Sequence, residues 1–219
     1  MRGASRLEVG SVDFSLIVGK LASLILNPAG ARSELEDVAM KASLATSAVF
    51  VALISFLQAL GTYIGLYTLL TSRLGMVFRA TAGAVIGRAV ISAIFGVIAA
   101  LIGWVILGLI TFALGKALRG EKVSLVMEEF GPLLSMLAFA SAPSIILVIP
   151  FGLISFYLYL LAALAIGAWS YYYTWLSAKV YFGLDNVKAL IATIVQLLMF
   201  LWSIYSAWLL VSSPIWFWA

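Results

Sequence analysis

The sequence predicts an all-α protein: a polytopic transmembrane helix bundle with five spans and an N-terminal interfacial amphipathic helix. Of its 219 residues, 64% are hydrophobic and 10% are charged, whereas a globular domain has about 45–50% apolar and about 25% charged residues. Forty-nine consecutive residues between Glu129 and Lys179 contain no Asp, Glu, Lys or Arg. Only helices surrounded by lipid tolerate such a stretch, since they satisfy their backbone internally and need no polar face.

Cysteine and histidine are both absent. Their absence removes disulfides, thiol nucleophiles, imidazole bases and Cys/His metal sites, so no cofactor or metal is expected. The net charge of +4 does not indicate nucleic-acid binding, because most basic residues lie beside apolar spans, where anionic lipid headgroups account for them.

Residues 1–42 form a charged N-terminal segment, predicted to be cytoplasmic and distinct from a membrane domain at 43–219. Residues 12–26 are apolar but too short to span a bilayer. At about 100° per residue, four polar residues share one stripe of a helix: Asp13, Lys20, Ser23 and Asn27. This pattern is typical of a helix in the membrane interface, although an ordinary helix packed against the bundle would also fit.

A turn at residues 27–30 ends this helix, because proline removes a donor and glycine permits a reversal. Ser33 and Glu36 then have the spacing of a capping box, with Ser33 as N-cap. Asp37 and Lys41 are spaced i, i+4 and should form a weak ion pair.

The five predicted spans follow in order. The third, of 18 residues, covers roughly 27 Å, just enough for the hydrocarbon core. Glycine at 183 should stop the fourth span, and Asp185 should cap the fifth. The spans are residues 43–70, 89–115, 132–149, 153–177 and 187–213.

The basic residues predict the orientation. With the N-terminus inside, the outer face keeps only Arg73, Arg79 and Arg88, for which no role beyond headgroup contact is predicted. The excess on the other face predicts a cytoplasmic N-terminus, an external C-terminus and an integral protein of a plasma membrane. The inner set is Arg2, Arg6, Lys20, Arg32, Lys41, Lys116, Arg119, Lys122, Lys179 and Lys188.

No ionisable residue lies near the middle of a predicted span, which disfavours proton-coupled transport and intramembrane catalysis. Gln58 and Gln196 are the strongest polar groups at depth. Each is expected to bond a neighbouring helix rather than a substrate. Pro143 should kink the third span, since it cannot donate to the carbonyl of Phe139. A hinge, a cavity wall and a simple packing kink all fit it.

The candidate interaction surface is the inner face. Glu128 and Glu129 are neighbours about 100° apart on a helix, so they do not converge as an acid/base pair. They could form a solvated helix start, or a cytoplasmic contact that docks a partner or senses lipid headgroups. The predicted surface comprises Arg119, Lys122, Glu128, Glu129, Asp185 and Lys188.

Residues 114–143, the fourth span and the segment GLDNVKAL at 183–190 resemble the Yip family, the Ypt/Rab-interacting membrane proteins. The family's basic, glycine-rich linker is matched by 115–122, and its small-residue segment closed by proline is matched by 138–143. Its short Gly-Leu turn before Lys-Ala is matched by 183–189. The resemblance implies five spans, a cytosolic N-terminus and an external C-terminus.

The chain also departs from eukaryotic members of that family. It lacks an Asp-Leu-x-Gly-Pro element near the first span and has Phe139-Ala140 where Gly-Tyr precedes Ser. These elements are associated with Rab-linked trafficking, so a small GTPase partner is not expected and a prokaryotic member is implied.

The leading hypothesis is therefore a non-enzymatic membrane protein that acts in membrane organisation or binds other membrane proteins or itself. The alternative is a transporter or channel for a neutral or lipid-like substrate, which would need a polar-lined cavity between helices. An enzyme acting on lipid headgroups would need converging carboxylates and a divalent cation at the inner interface.

Overall fold

Two long antiparallel helices, α3 (Leu44–Arg73) and α4 (Ala82–Leu118), pack along each other, and the other helices pack against them. The computed structural model describes residues 11–73 and 82–212, and these residues form helices and turns only. The other α-helices are α1 (Phe14–Leu26), α2 (Ala31–Lys41), α5 (Met127–Phe139), α6 (Phe156–Phe182), α7 (Asn186–Ala192) and α8 (Ile194–Ser212).

Helix α1 begins at an aspartate cap, where Oδ1 of Asp13 accepts from the backbone N–H of Leu16 at 3.0 Å. A 3₁₀ turn at Pro28–Gly30 follows, and α2 leaves it at an angle of 112° to α1. The predicted capping box is wrong, because α2 already begins at Ala31. The Ser33 hydroxyl instead donates to the carbonyl of Gly30, and Glu36 pairs with Arg32 at 3.1 Å.

The polar stripe of α1 faces α2. Lys20 Nζ lies 2.5 Å from a carboxylate oxygen of Glu34 and 2.7 Å from one of Asp37. Asp37 also forms the predicted pair with Lys41, at 2.8 Å. These hydrogen bonds from Lys20 and Lys41 hold the pKa of the Asp37 carboxyl below its ordinary value. Lys20 therefore links α1 to α2, whereas Asp13 caps α1 and the Ser23 hydroxyl donates to a carbonyl of its own helix.

The side of α1 next to this stripe packs against the bundle. Ile17 and Leu24 are buried in a core shared with α3, α5 and α6, and the hydroxyl of Tyr173 donates to the carbonyl of Leu24 at 2.6 Å. Phe14 and Val18 remain exposed. Packing is thus continuous across the predicted boundary at residue 42, and the interfacial position of α1 stays a prediction.

The third predicted span is broken near its middle. Helix α5 ends at Phe139, and a 3₁₀ segment (Ala142–Val148) begins with Pro143 in its first turn. The expected kink is therefore a change from α to 3₁₀ geometry. The Ser141 hydroxyl donates to the carbonyl of Ala138 at 2.7 Å. A 3₁₀ turn (Phe151–Leu153) then leads into α6.

This span also starts earlier than the predicted Pro132. The structure begins α5 at Met127, with Glu128 and Glu129 in the first turn and Pro132 inside the helix. Carboxylates in a first turn are favourable because they face the positive end of the helix dipole. The acidic pair thus belongs to the span's first turn.

The fifth predicted span is wrong as a single helix. It consists of α7 and α8, which are bent by 72° at Thr193. The hydroxyl of Thr193 donates to the carbonyl of Ala189 at 3.0 Å and lies 3.2 Å from that of Tyr171. A threonine side chain that bonds the preceding turn often bends a helix.

By length and composition, three segments of the described chain can cross a membrane: Leu44–Gly65, Gly87–Leu118 and Met127–Leu153. The total rises to five if the bent pairs α1–α2 and α7–α8 each count as one span. Helix α6 is not among these, although its 27 residues are long enough, because Tyr and Trp lower its hydropathy. The polytopic helix bundle is confirmed, and five is the upper limit of this range.

Candidate interaction surface at the charged end of the bundle

The starts of α3 and α5 and the ends of α4 and α6 lie at one end of the bundle. The ring of Phe112 contacts those of Phe130 and Phe182 at centroid distances of 5.6 and 6.1 Å. A buried hydrogen bond of 2.8 Å joins Ser47 to Ser135. This end also contains the 119–126 linker between α4 and α5 and the 183–185 turn between α6 and α7. We call it the charged end, because Lys116, Arg119, Glu121, Asp185 and Lys188 lie here.

The linker is fixed by an ion-pair clamp. Lys116 Nζ lies 2.9 Å from a carboxylate oxygen of Glu121 and 2.6 Å from one of Glu129, while Arg119 Nε lies 2.7 Å from Glu121. The Lys116 side chain is only 12% exposed, so solvent screens its pairs less than those of a fully exposed lysine. The clamp ties the first residues of the linker to the first turn of α5.

Backbone contacts reinforce the clamp. Gly120 adopts a left-handed φ of 72°, which lets the chain reverse at the end of α4. The N–H of Glu121 then donates to the carbonyl of Lys116 at 3.0 Å. The hydroxyl of Tyr181, from α6, donates to the carbonyl of Glu129. The linker is therefore held by α4 and α5, and α6 holds the first turn of α5.

The remainder of the linker exposes apolar side chains. Val123 and Leu125 are 56% and 60% exposed, and Val126 is also exposed. Lys122 precedes them and Glu128 follows them, and both are exposed. The structure therefore presents an apolar segment between two charges of opposite sign, which we call the apolar linker (123–126).

The α6–α7 turn forms the neighbouring wall. Gly183 has a left-handed φ of 61° and ends α6, and Asp185 Oδ1 caps α7 by accepting from the N–H of Lys188 at 2.8 Å. Both sequence predictions for this turn are confirmed. Arg119, Tyr181, Asp185 and Lys188 line an open groove of about 750 Å³.

The structure therefore groups the predicted residues in two sets. Arg119, Asp185 and Lys188 share the groove, and Lys122 and Glu128 flank the apolar linker. Glu129 is engaged in the clamp. Sequence reasoning placed Lys116 only as an inner-face cation and missed Glu121 and Tyr181, since their contacts depend on where the chain reverses at Gly120.

Electrostatics stabilise the clamp. The hydrogen bond from the Lys116 ammonium, with the nearby charges of Arg119 and Lys116, holds the pKa of the Glu121 carboxyl below its ordinary value, despite an opposing effect of desolvation. Within the described ranges no group of three or more Asp and Glu residues could hold a metal ion. The arrangement suits recognition by charge and apolar contact.

The interior contains the other predicted polar residues. Gln196 Nε2, on α8, donates to Thr111 Oγ1 and the Leu107 carbonyl of α4, at 2.6 and 3.3 Å. The structure thus places Gln196 as an interhelical bridge. Gln58 is half-buried on α3, with no hydrogen bond among the described residues, so its bridging role stays a prediction.

The alternative hypothesis of a transporter or channel needs a polar-lined cavity. A cavity of about 330 Å³ does lie between helices, but apolar side chains form most of its wall. Pro143 is buried in the 3₁₀ segment and does not line this cavity.

Of the outer basic residues, Arg79 lies outside the described residues, and Arg73 and Arg88 lie on α3 and α4.

A comparison with known protein families matches residues 22–207 to the Yip1 domain. The chain belongs to the Yip1 domain family. The match covers most of the chain, including the clamp, the apolar linker and the groove, and it confirms the resemblance found in the sequence. No curated protein and no solved structure matches this Yip1-domain chain.

Proposed function

We propose that this Yip1-domain chain is a non-enzymatic integral membrane protein that binds another membrane protein through its charged end. The observation that supports the proposal is the apolar linker, which is exposed yet flanked by Lys122 and Glu128. An apolar patch with a polar rim is typical of a protein-binding surface.

The clamp favours binding because it orders the linker beforehand. Lys116 holds Glu121 before the apolar linker and Glu129 after it. A segment that is already positioned loses little conformational freedom when a partner arrives, so more of the contact energy remains as affinity.

The mixed charges favour a protein over a lipid surface as the partner. Arg119 and Lys188 supply positive charge to the groove and Asp185 supplies negative charge, while Glu128 lies beside the apolar linker. An anionic headgroup layer would attract the cations and repel the carboxylates, whereas a protein can match both signs. We propose no small GTPase as the partner, in view of the family elements that the chain lacks.

The proposal places the protein in a prokaryotic plasma membrane, with a cytoplasmic N-terminus and an external C-terminus. The charged end then faces the cytoplasm, where the excess of Lys and Arg belongs. A role in membrane organisation would follow from a partner held at this end, either a different membrane protein or a second copy of this chain.

Cross-linking and purification from native membranes test the proposal. The wild-type chain is expected to recover a stoichiometric protein partner, or a second, differently tagged copy. Replacing Val123 and Leu125 together by serine removes the apolar contact and should abolish that recovery. The proposal fails if the wild-type chain is recovered as a lone species.

Ile154→Ser is the matched control. Ile154 is 72% exposed and lies at the opposite end of the bundle, so this variant should keep the partner. Neither change removes a buried side chain, and surface substitutions usually alter stability by less than about 0.5 kcal/mol. Equal loss of the partner in both variants would contradict an interface at the apolar linker.

A further inference from the structure

The fifth predicted span divides into two helices of unequal length. Helix α8 has 19 residues, which cover roughly 28 Å, and the hydrocarbon core of a bilayer is about 30 Å thick, so α8 alone can cross it. Helix α7 leaves α8 at a bend of 72°. With α8 along the membrane normal, α7 makes an angle of about 18° with the membrane plane, the complement of that bend. The average tilt of membrane helices, about 20°, still leaves α7 nearer to the plane than to the normal.

Helix α7 turns one side to the bundle and an apolar side outward. Ala189 and Ala192 are buried against α4 and α6. At about 100° per residue, the exposed side chains of Val187, Leu190 and Ile191 share one face on the other side of the helix. Water is an unfavourable neighbour for a face that is apolar along the whole of a short helix.

The exposed apolar surface of α4 stops where α7 covers this helix. Large exposed apolar side chains on α4 extend as far as Ile106, and in the described chain none follows between Leu107 and Leu118. Gln196, one turn after the bend, donates to the carbonyl of Leu107, so the bend lies at this level of the bundle. The apolar surface resumes on α8 with the exposed Leu198. Lipid around the bundle therefore meets α7 between the two.

Side chains typical of the headgroup level surround the start of α7. The indole N–H of Trp175 donates to the carbonyl of Asn186 at 3.3 Å. Lys179 Nζ lies 2.7 Å from Asn186 Oδ1 and 5.1 Å from the centroid of the Trp175 ring. The exposed Tyr172 stacks on Trp175 at 5.8 Å. Trp and Tyr are enriched at the boundary between membrane and water, and lysine extends its ammonium towards the headgroups.

The apolar face of α7 is separate from the groove at the charged end. Asp185 and Lys188 line the groove, whereas Val187, Leu190 and Ile191 do not. Lipid can therefore contact this face while the groove remains open to a partner.

We propose that α7 is an interfacial helix whose face of Val187, Leu190 and Ile191 contacts acyl chains just below the headgroups, while α8 alone crosses the bilayer. Helices of this kind bury their apolar face about 5–10 Å into the boundary of headgroups and acyl chains. The occupant is lipid rather than protein, because the face joins the apolar outer surfaces of α4 and α8. This position holds the groove at the membrane surface and does not depend on the proposed protein partner.

Spin-label depth measurements test the proposal. The chain contains no cysteine, so Val187→Cys and Ile191→Cys each introduce a single site for a nitroxide. The full-length protein is placed in nanodiscs of phosphatidylcholine and phosphatidylglycerol, and the access of oxygen and of a water-soluble nickel chelate to each label gives its depth. Both labels should be more accessible to oxygen than to the chelate.

Leu198→Cys and Trp202→Cys on α8 are the matched control, because both residues are exposed and have the same spacing of four. Four helical residues rise about 6 Å, so the α8 labels should differ in depth by nearly that amount, and their measured difference also reports the tilt of α8. The α7 labels should differ by only about 2 Å, since α7 is inclined by about 18° to the membrane plane. Equal depth differences for the two pairs would overturn the proposal.

Two further results would also overturn it. Greater access of the chelate than of oxygen at both α7 positions would place the face in water. Protection from both reagents would mean that a second copy or another protein covers the face. Leu190→Cys lies on the same face and replaces either α7 variant if that variant does not fold.

Discussion

Replacing Gly61 by alanine should destabilise the fold at the contact between α3 and the 3₁₀ segment of the third span. An added Cβ would lie 2.4 Å from the carbonyl oxygens of Leu147 and Val148. Ordinary contact begins near 3.4 Å, so the two segments must separate by about 1 Å. The obstructing atoms belong to the backbone, and therefore no side-chain rotation can relieve the clash.

The expected cost follows from overpacking. Extra atoms in a packed interior typically cost about 1–3 kcal/mol. For a chain of 150–250 residues, each kcal/mol lowers the melting temperature by roughly 2–4 °C. Gly61→Ala should therefore lower the Tm by about 2–12 °C.

Gly96→Ala is the matched control. Its Cβ would meet the Cβ of Ala59 at 3.6 Å, an ordinary contact between α4 and α3. Thermal unfolding of both variants in the same detergent, followed by circular dichroism, gives the comparison. Equal melting temperatures for the two variants would refute the close packing of α3 on the third span.

Three further predictions concern single contacts. Tyr173→Phe should cost about 0.5–1.5 kcal/mol, because the carbonyl of Leu24 loses its donor, and proteolysis within α1 should increase; an unchanged rate of cleavage would argue against this contact. Gly183→Ala should cost about 1–2 kcal/mol, because alanine is disfavoured at the left-handed φ of 61°, and an unchanged denaturation midpoint would contradict this geometry. The Glu121 pair with Lys116 should contribute fully above the carboxyl's ordinary pKa of 4.5 and be lost as the pH falls through its lowered folded-state value. Hydrogen exchange of the linker, corrected for intrinsic rates, should therefore stay constant from pH 7 to 5 and increase once the pH is below 4.5; an increase already between pH 7 and 5 would exclude this pair as its cause.

Local signals predicted the turn between α6 and α7 correctly. Gly183 and Asp185 have the backbone and capping roles expected from their residue types. Such roles depend on neighbours in sequence. Ser33 fits a capping box equally well, yet α2 begins three residues earlier than that box predicts, because the turn at Pro28–Gly30 already sets the start of the helix.

The breaks within the spans were harder to predict. Pro143 indicated a disturbance but not its extent, since the 3₁₀ segment continues to Val148 and packs against α3 at Gly61. The 72° bend at Thr193 was not predicted from the sequence. Apolar composition is the same in a straight and in a broken span, so hydropathy cannot distinguish them.

The candidate surface was predicted in part. The six residues were identified from charge near the inner ends of spans, and the structure brings Arg119, Asp185 and Lys188 to one groove. The exposed apolar linker was missed, because Val and Leu are usually buried. Only the tertiary structure shows that no helix covers Val123 and Leu125.

The sequence alone determined that this protein lies in a membrane and is helical, because long stretches without charge are stable only in hydrocarbon. The tertiary structure decided what the polar residues do. Lys20 became part of an interhelical ion pair, Lys116 a clamp and Gln196 a bridge with one unsatisfied oxygen. Those roles depend on distances between residues far apart in the chain, and only the packing of helices sets such distances.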